Sequence, residues 1–298
     1  MFERVHGVFG CRTRSMFDNQ IPRSHVRTSL QTLVCRTAFD EPFDRKNTSD
    51  AIIVYLRGAI NSTEVSKSLA PRDARQPWIM LTFEAPPLAN SIHHTKYKNL
   101  NGLFNRTMMY RRDADIRVPH GFVVSHADAK YLPDAWVMPP VKEEIINTSR
   151  KLAVAFISNC GAKSNRLSYV RNFQEHAPVD IYGKCGTHKC GHSMYVDHNY
   201  NATNNPCLKM AAERYLFYFA FENAFCEEYL TEKVYNLLFY PIVPVVRGSA
   251  DYKTLLPPNS YIDGNNYTPK ELAEKLLFLQ NHPEVCFRMF LFIYLCVL

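Results

Sequence analysis

A chain of 298 residues with 46% hydrophobic and 21% charged residues has the composition of a core-forming protein, one large domain or two ordinary ones. Its formal charge of +7 comes without any block of consecutive Lys and Arg, which argues against nucleic-acid binding and suits a small anion such as a nucleotide diphosphate. Six Asn-x-Ser/Thr sequons (Asn47, Asn61, Asn105, Asn147, Asn201, Asn266) beside nine cysteines point to an oxidising, glycosylating compartment, and the odd cysteine total leaves at least one thiol outside any internal pair.

The opening MFERVHGVFGCRTRSMF is too charged and broken for a signal peptide, and the longest apolar stretch, Met289–Leu298, is far short of a bilayer span. Any membrane anchor is therefore expected outside this sequence. Residues 1 to about 50 are polar with weak periodicity and are expected to be poorly structured. Ala51–Leu56 and Trp78–Phe83 read as short buried strands, with Glu84 directly after the second. Ile116–Val118 and Phe122–Val124 are weaker strand candidates. From about residue 150 the pattern is regular. Strands are expected over Leu152–Ile157, Val179–Tyr182, Leu216–Phe221 and Ile242–Val246. Helices are expected over Asn165–His176, capped by Ser164, over Glu228–Phe239, and from the Thr268-Pro-Lys-Glu271 capping box to about Gln280. Cys185–Pro206, rich in Gly, His and Asn, reads as a loop.

Strand alternating with helix predicts an α/β fold with a parallel sheet in the C-terminal half. The expected organisation is a segment 1–50, a lobe 51–140, a linker at 139–151, a second lobe 150–285 and an atypical apolar tail 286–298. Ligands of such sheets bind outside the carboxyl ends of the strands, so the residues after Phe156, Phe221 and Val246 are the first places to look. Phe219–Lys233 reads FAFENAFCEEYLTEK, a strand ending in Glu222-Asn223, a loop, then a helix opening with Tyr229, Thr231, Glu232 and Lys233. Backbone N–H groups and a lysine at a helix start can hold phosphate, and a nearby carboxylate can accept from ribose hydroxyls. A surface helix with a Glu-Lys pair fits the same spacing equally well. Arg166 near a helix start opposes the helix dipole, a conflict that an anionic ligand would remove. Cys185, His188, Cys190 and His192 could form a zinc cluster, but disulfides are the expected use of cysteines in an oxidising compartment.

Four ordered blocks carry a resemblance that spacing alone does not. FAFEN with YLTEK, VPVV-x-G and LLPP resembles the donor-binding signature of the α1,3/α1,4-fucosyltransferases, glycosyltransferase family 10. FISNCGAKSNRLSYV is similar to the family's strand-to-helix segment, FNRTMMYRRDADI to its FNLTMSYRRDSDI block, and WIMLTFEAPP to a block ending in ESP. The blocks run in order from about residue 76 to 285. The resemblance implies two Rossmann-like lobes of the GT-B type, GDP-fucose as donor, a GlcNAc-containing glycan such as an N-glycan as acceptor, and a Golgi-lumenal type II membrane enzyme.

It further implies that Arg166 and Lys233 contact the donor diphosphate. Asn159, Tyr218, Glu222, Asn223, Tyr229, Thr231 and Glu232 become donor-site candidates, with Tyr110 from the other lobe; core packing is the competing reading of Tyr218. Glu84 takes the place of the family's general base, since inverting transfer to a hydroxyl needs one base opposite the leaving nucleotide. The family does not depend on a metal bound at a DxD motif, so Asp113-Ala-Asp115 is expected to be structural, no cofactor is required, and Mn2+ is a stimulant at most. The chain departs from the vertebrate pattern in lacking a His-His-Trp/Arg acceptor motif, for which His93-His94 is no substitute, and in its ending CFRMFLFIYLCVL. The YGKCGTHKC loop resembles invertebrate and core-type members. A catalytically inactive relative that binds nucleotide or glycan, and a transferase of another nucleotide sugar, are the alternatives.

Overall fold

The computed structural model describes residues 8–12, 34–36, 51–56, 75–86, 101–125, 150–191, 205–285, 288–289 and 296–297. Sequons Asn47, Asn61, Asn147 and Asn201, His93-His94, His192, most of the expected linker and most of the apolar tail lie outside these residues. The chain divides into two units, Met1–Val118 and Pro119–Leu298, a boundary ahead of the expected linker.

The first unit is a mixed sheet of β1 (Val8–Arg12), β2 (Val34–Arg36), β3 (Ile52–Tyr55), β4 (Trp78–Leu81), β5 (Arg106–Met109) and β6 (Ile116–Arg117), ordered β2-β1-β3-β4-β5-β6. Strands β3 to β6 run parallel, while β1 pairs antiparallel with both β2 and β3. β1 and β2 fall inside the segment expected to be poorly structured. They extend a sheet edge through backbone pairing, which needs no apolar periodicity. Their register sets Cys11 opposite Cys35. Ile52 and Trp78 pack with Val54 and Phe104, and Asn105 Oδ1 accepts from Trp78 N at 2.6 Å.

The second unit is built on a parallel sheet of β8 (Lys151–Phe156), β9 (Val179–Tyr182), β10 (Tyr215–Phe221), β11 (Val243–Arg247) and β12 (Ile262–Asp263), ordered β12-β11-β10-β8-β9. Helices α1 (Arg166–Gln174), α2 (Pro206–Arg214), α3 (Glu232–Tyr235), α4 (Tyr252–Leu255) and α5 (Pro269–Gln280) connect or follow these strands. A separate antiparallel pair joins β7 (Val124–Ser125) to β13 (Cys296–Val297). Every residue of β10, YLFYFAF, is buried, as a central strand covered on both faces requires. α1 turns Leu167, Val170 and Phe173 into the same core. The Thr268 capping box forms in both directions, Thr268 Oγ1 accepting from Glu271 N and Glu271 Oε2 from Thr268 N.

Three expectations are corrected. Ser164 does not cap α1: Asn165 is the N-cap, in the left-handed region at φ 52°, and the Ser164 hydroxyl donates to Glu222 O instead. The helix expected over Glu228–Phe239 is only Glu232–Tyr235 followed by a 3-10 turn, because Glu228 at φ 58° interrupts any earlier start. α2 follows the expected loop unannounced, although its signals were present: Asn205 Oδ1 accepts from Cys207 N and Leu208 N, and Pro206 takes the first position. Cys160 of the β8–α1 connection bonds Cys185, and Cys190 bonds Cys207 of α2, so the sulfurs of the zinc alternative are committed to disulfides.

Candidate functional site at the sheet switch point

In a sheet of this order the connections leaving β8 and β10 turn to opposite faces, and the crevice outside their carboxyl ends is where ligands bind. The β8–α1 connection folds over the end of β10. Ser164 N donates to Asn223 O at 3.2 Å, Ser164 Oγ to Glu222 O at 2.6 Å, and Arg166 Nη1 to Phe221 O at 2.9 Å. Arg166 is the first residue of α1, where its cation opposes the helix dipole, and it is 5% exposed. Burial pushes its pKa down, and the Glu222 carboxylate opposes that shift.

Glu222 organises the crevice. Its side chain is 1% exposed, and it accepts from Thr231 N and Thr231 Oγ1, both at 2.9 Å, and from Lys233 Nζ at 3.0 Å. A carboxylate so engaged acts as the holder of Thr231 and Lys233, which leaves Glu232, 44% exposed, as the accessible acid. Lys233 Nζ also lies 3.5 Å from Glu232 Oε1. Burial works against the lysine charge, but Glu222 and Glu232 outweigh it and raise the pKa, so Lys233 stays a cation. For Glu232 burial is likewise outweighed, by the charges of Lys233 and His120, and its carboxyl is held below the ordinary range.

The remaining candidates of this unit surround the same crevice. Tyr229, 2% exposed, meets the His120 ring edge-on at 5.9 Å, and His120 Nδ1 stands 3.6 Å from Glu232 Oε2. Tyr218 is buried on β10 with its ring stacked on Phe156 at 5.5 Å, the geometry of core packing, and burial pushes its hydroxyl pKa up. Asn159 is partly buried on the β8–α1 connection, beside the Cys160–Cys185 disulfide that ties this connection down. The buried polar atoms without a hydrogen-bond partner among the described residues include Arg166 Nε–H, a donor, and Asn223 Oδ1, an acceptor. Such orphans are costly unless a ligand or water meets them.

Glu84 and Tyr110 belong to the first unit. Strand β4 ends at Leu81 rather than at Phe83, and Glu84 is partly buried in the bend beyond it, its N donating to Thr82 Oγ1 at 3.2 Å. Tyr110, 3% exposed, follows β5 and accepts at its carbonyl from Arg117 Nε. The Asp113 carboxylate takes two bonds from Arg111, and Asp115 Oδ2 accepts from Thr107 N and Oγ1, so both acids are engaged locally.

Arg247 and His120 of the crevice escaped the sequence reading. Arg247 ends β11, donates from Nη1 to Ser164 O at 3.1 Å, and has its guanidinium between Tyr169 and Phe225, 4.6 and 4.8 Å from the ring centres. The strand-end rule pointed to this place, just after Val246, but Arg247 read as part of the strand run. Gly248 follows it, and a Cβ there would stand 2.8 Å from Tyr252 Oη and 3.3 Å from Glu222 Cγ. Arg166 and Lys233 thus lie beside Glu222 and Glu232, next to an unmet donor and acceptor, with Arg247 bonded to the same β8–α1 connection. That arrangement fits an anionic ligand with polar substituents.

Comparison with known proteins agrees. The model of the glycosyltransferase family 10 (fucosyltransferase) C-terminal domain matches residues 146–292, and that of the fucosyltransferase N-terminal domain matches residues 13–121. Alpha-(1,3)-fucosyltransferase C of Drosophila melanogaster is 32% identical over 79% of this chain and 56% of its own length. The 4-galactosyl-N-acetylglucosaminide 3-alpha-L-fucosyltransferase FUT6 of Homo sapiens is 31% identical over 76% of this chain and 57% of its own. The chain therefore spans little more than half the length of these relatives. A crystal structure of an α1,3-fucosyltransferase shares the fold, with a TM-score of 0.52 and 16% identity over 81% of this chain and 69% of its own.

Proposed function

The chain belongs to glycosyltransferase family 10, and from that premise we propose that it is an inverting α1,3-fucosyltransferase moving fucose from GDP-fucose to a GlcNAc hydroxyl of a glycoprotein glycan. The observation that carries this reading is the crevice at the switch point, where the buried Arg166 and a Lys233 held as a cation stand beside the unpartnered Arg166 Nε and Asn223 Oδ1. In this reading the two cations take the diphosphate and stabilise the negative charge that grows on it as the bond to fucose breaks. Glu222 keeps Lys233 and Thr231 in place. Glu232 accepts from the ribose hydroxyls, with Asn159, Asn223, Tyr218, Tyr229 and Tyr110 completing the donor site. Glu84 removes the proton from the acceptor hydroxyl, whose oxygen attacks the anomeric carbon on the face opposite GDP, so that the configuration inverts. The relatives' names support the acceptor class, one being glycoprotein 3-alpha-L-fucosyltransferase A of Drosophila melanogaster.

Charge neutralisation by arginine and lysine leaves no step that requires a metal, so activity is expected to persist in EDTA, with Mn2+ a stimulant at most. Residence in the Golgi lumen is part of the same proposal. The test is GDP release from GDP-fucose with a panel of GlcNAc-containing acceptors. Acceptor-dependent release should vanish in Glu84→Gln while GDP binding is kept, and GDP binding itself should weaken in Lys233→Ala. A folded chain that binds GDP and turns over no acceptor would instead be an inactive relative.

A further inference from the structure

Lys233 is one cation shared by two carboxylates, its Nζ 3.0 Å from Glu222 Oε2 and 3.5 Å from Glu232 Oε1. A charge committed twice within the protein is less available to a diphosphate. The other oxygen of Glu232, Oε2, faces His120 Nδ1 at 3.6 Å. That imidazole is 14% exposed and rests edge-on against Tyr229. Its place is fixed by its neighbour. Gly121 lies so close to Tyr235 of α3 that a Cβ would stand 2.4 Å from the ring, so only a glycine lets this segment dock on the helix. Among the described residues, the charged and titratable groups of the elements around His120 include Glu232, Lys233 and Tyr235 of α3 and Tyr229 before it, with Glu222 and Tyr218 at β10 and Arg166 of α1 behind them. Among these side-chain types, only imidazole ordinarily changes charge between pH 5 and 8.

We propose that His120 is a positioning residue of the crevice: protonated, it takes over Glu232, relieves Lys233 of one of its two carboxylates while Glu222 and Thr231 keep it in place, and so strengthens GDP-fucose binding. The inference rests on the reading of this crevice as the GDP-fucose site. Linkage fixes the sign. A ligand that binds better when His120 carries a proton binds more tightly at low pH, and it raises the pH at which His120 loses that proton. The pyrophosphate diester of GDP-fucose does not itself titrate in this range, so a pH effect on its binding belongs to the protein.

The test is calorimetric titration of the whole chain with GDP-fucose, without acceptor, near pH 5.5 and near pH 8. Wild type should bind about threefold to fivefold more tightly at the acid pH, the scale of a partly exposed ion pair. His120→Gln should bind alike at both, near the weaker value, and in turnover it should raise KM for the donor at acid pH while kcat stays unchanged. An equal pH dependence in His120→Gln, or none in wild type, overturns the inference while leaving the donor site intact. Absence of GDP-fucose binding at any pH overturns both. Should His120→Gln fail to fold, NMR titration of the wild-type His120 ring decides: its protonation midpoint must rise when GDP-fucose is added, and an unmoved midpoint refutes the role.

Discussion

Glu222 presents almost no surface, yet it decides where the charges of the crevice stand. Its carboxylate accepts from Thr231 and Lys233 and so sets both the start of α3 and the position of the lysine. Glu222→Gln keeps the shape and removes the charge, leaving Lys233 without its nearest buried counter-ion. Breaking one side of a buried pair costs about 3 kcal/mol, so the unfolding free energy from urea titration should fall by that amount, and GDP binding should weaken because Lys233 loses its fixed position. A second test separates backbone strain from contact. Glu228 sits at φ 58°, where a β-branched residue is strongly disfavoured. Glu228→Val should cost about 1–3 kcal/mol in thermal unfolding, whereas Glu228→Gly should lie within about 0.5 kcal/mol of wild type, relief of strain offsetting the added freedom of the unfolded chain. At this scale the sequence was partly legible. Arg166 and Lys233 stand out because a helix start makes a cation anomalous or useful. His120 and Arg247 do not, because their partners, Glu232 and Tyr229 for one and Ser164, Tyr169 and Phe225 for the other, come from other segments.

The strands that could be read most plainly are those whose residues are buried on both faces. β8, β10 and β11 are continuous apolar runs, and a run covered by helices on each side declares itself without alternation. β5 carries Arg106 and Thr107, β2 is an edge strand, and β1 joins it to β3 through backbone pairing, so none of the three announces itself. α3 was over-extended for a related reason: its start is set by a carboxylate from β10, a tertiary contact that local propensity does not contain. The opposite edge of the sheet offers a test of strand coupling. Asp180 on β9 accepts from Lys151 of β8 and from Tyr215 Oη of β10, both at 2.7 Å, and so bridges three strands. Burial would raise its pKa, but those two hydrogen bonds outweigh it and hold the carboxyl below the ordinary 3.8. A depressed carboxylate pKa stabilises the fold above the unfolded value, and that contribution disappears as pH falls through the lower folded value. Asp180→Asn should therefore cost about 1–2 kcal/mol at neutral pH, discounted because Lys151 is mostly exposed. The gap from wild type should narrow in urea titrations carried progressively below pH 3.8. A constant gap would mean that shape rather than charge holds the three strands.

For the whole molecule, the alternation of strand and helix was enough to place a parallel sheet in the second unit, whereas the pairing of nine cysteines was beyond any argument from sequence. The pairing found has a consequence for where the protein can fold. Cys160–Cys185 and Cys190–Cys207 close stretches with sequence separations of 25 and 17, and chain-entropy reasoning assigns roughly 3 kcal/mol to each. The first bridge ties the connection bearing Asn159 and leading to Arg166 to the turn after β9. The second ties the loop beyond it to the start of α2, which leads directly into β10. Both strands that bound the crevice are therefore reached through a disulfide. In a reducing compartment the second unit would lose stability comparable to that of a whole marginal domain, so the fold itself calls for an oxidising one. Reduction should thus lower the thermal midpoint and weaken GDP-fucose binding together, because the crevice and the bridges share the same connections. Saturating GDP-fucose should slow reduction of Cys160–Cys185 more than that of Cys190–Cys207, since only the first bridge adjoins residues that would touch the ligand. Mass spectrometry after timed alkylation reads both rates. Equal protection of the two bridges would mean that the ligand stabilises the unit as a whole rather than through the β8–α1 connection.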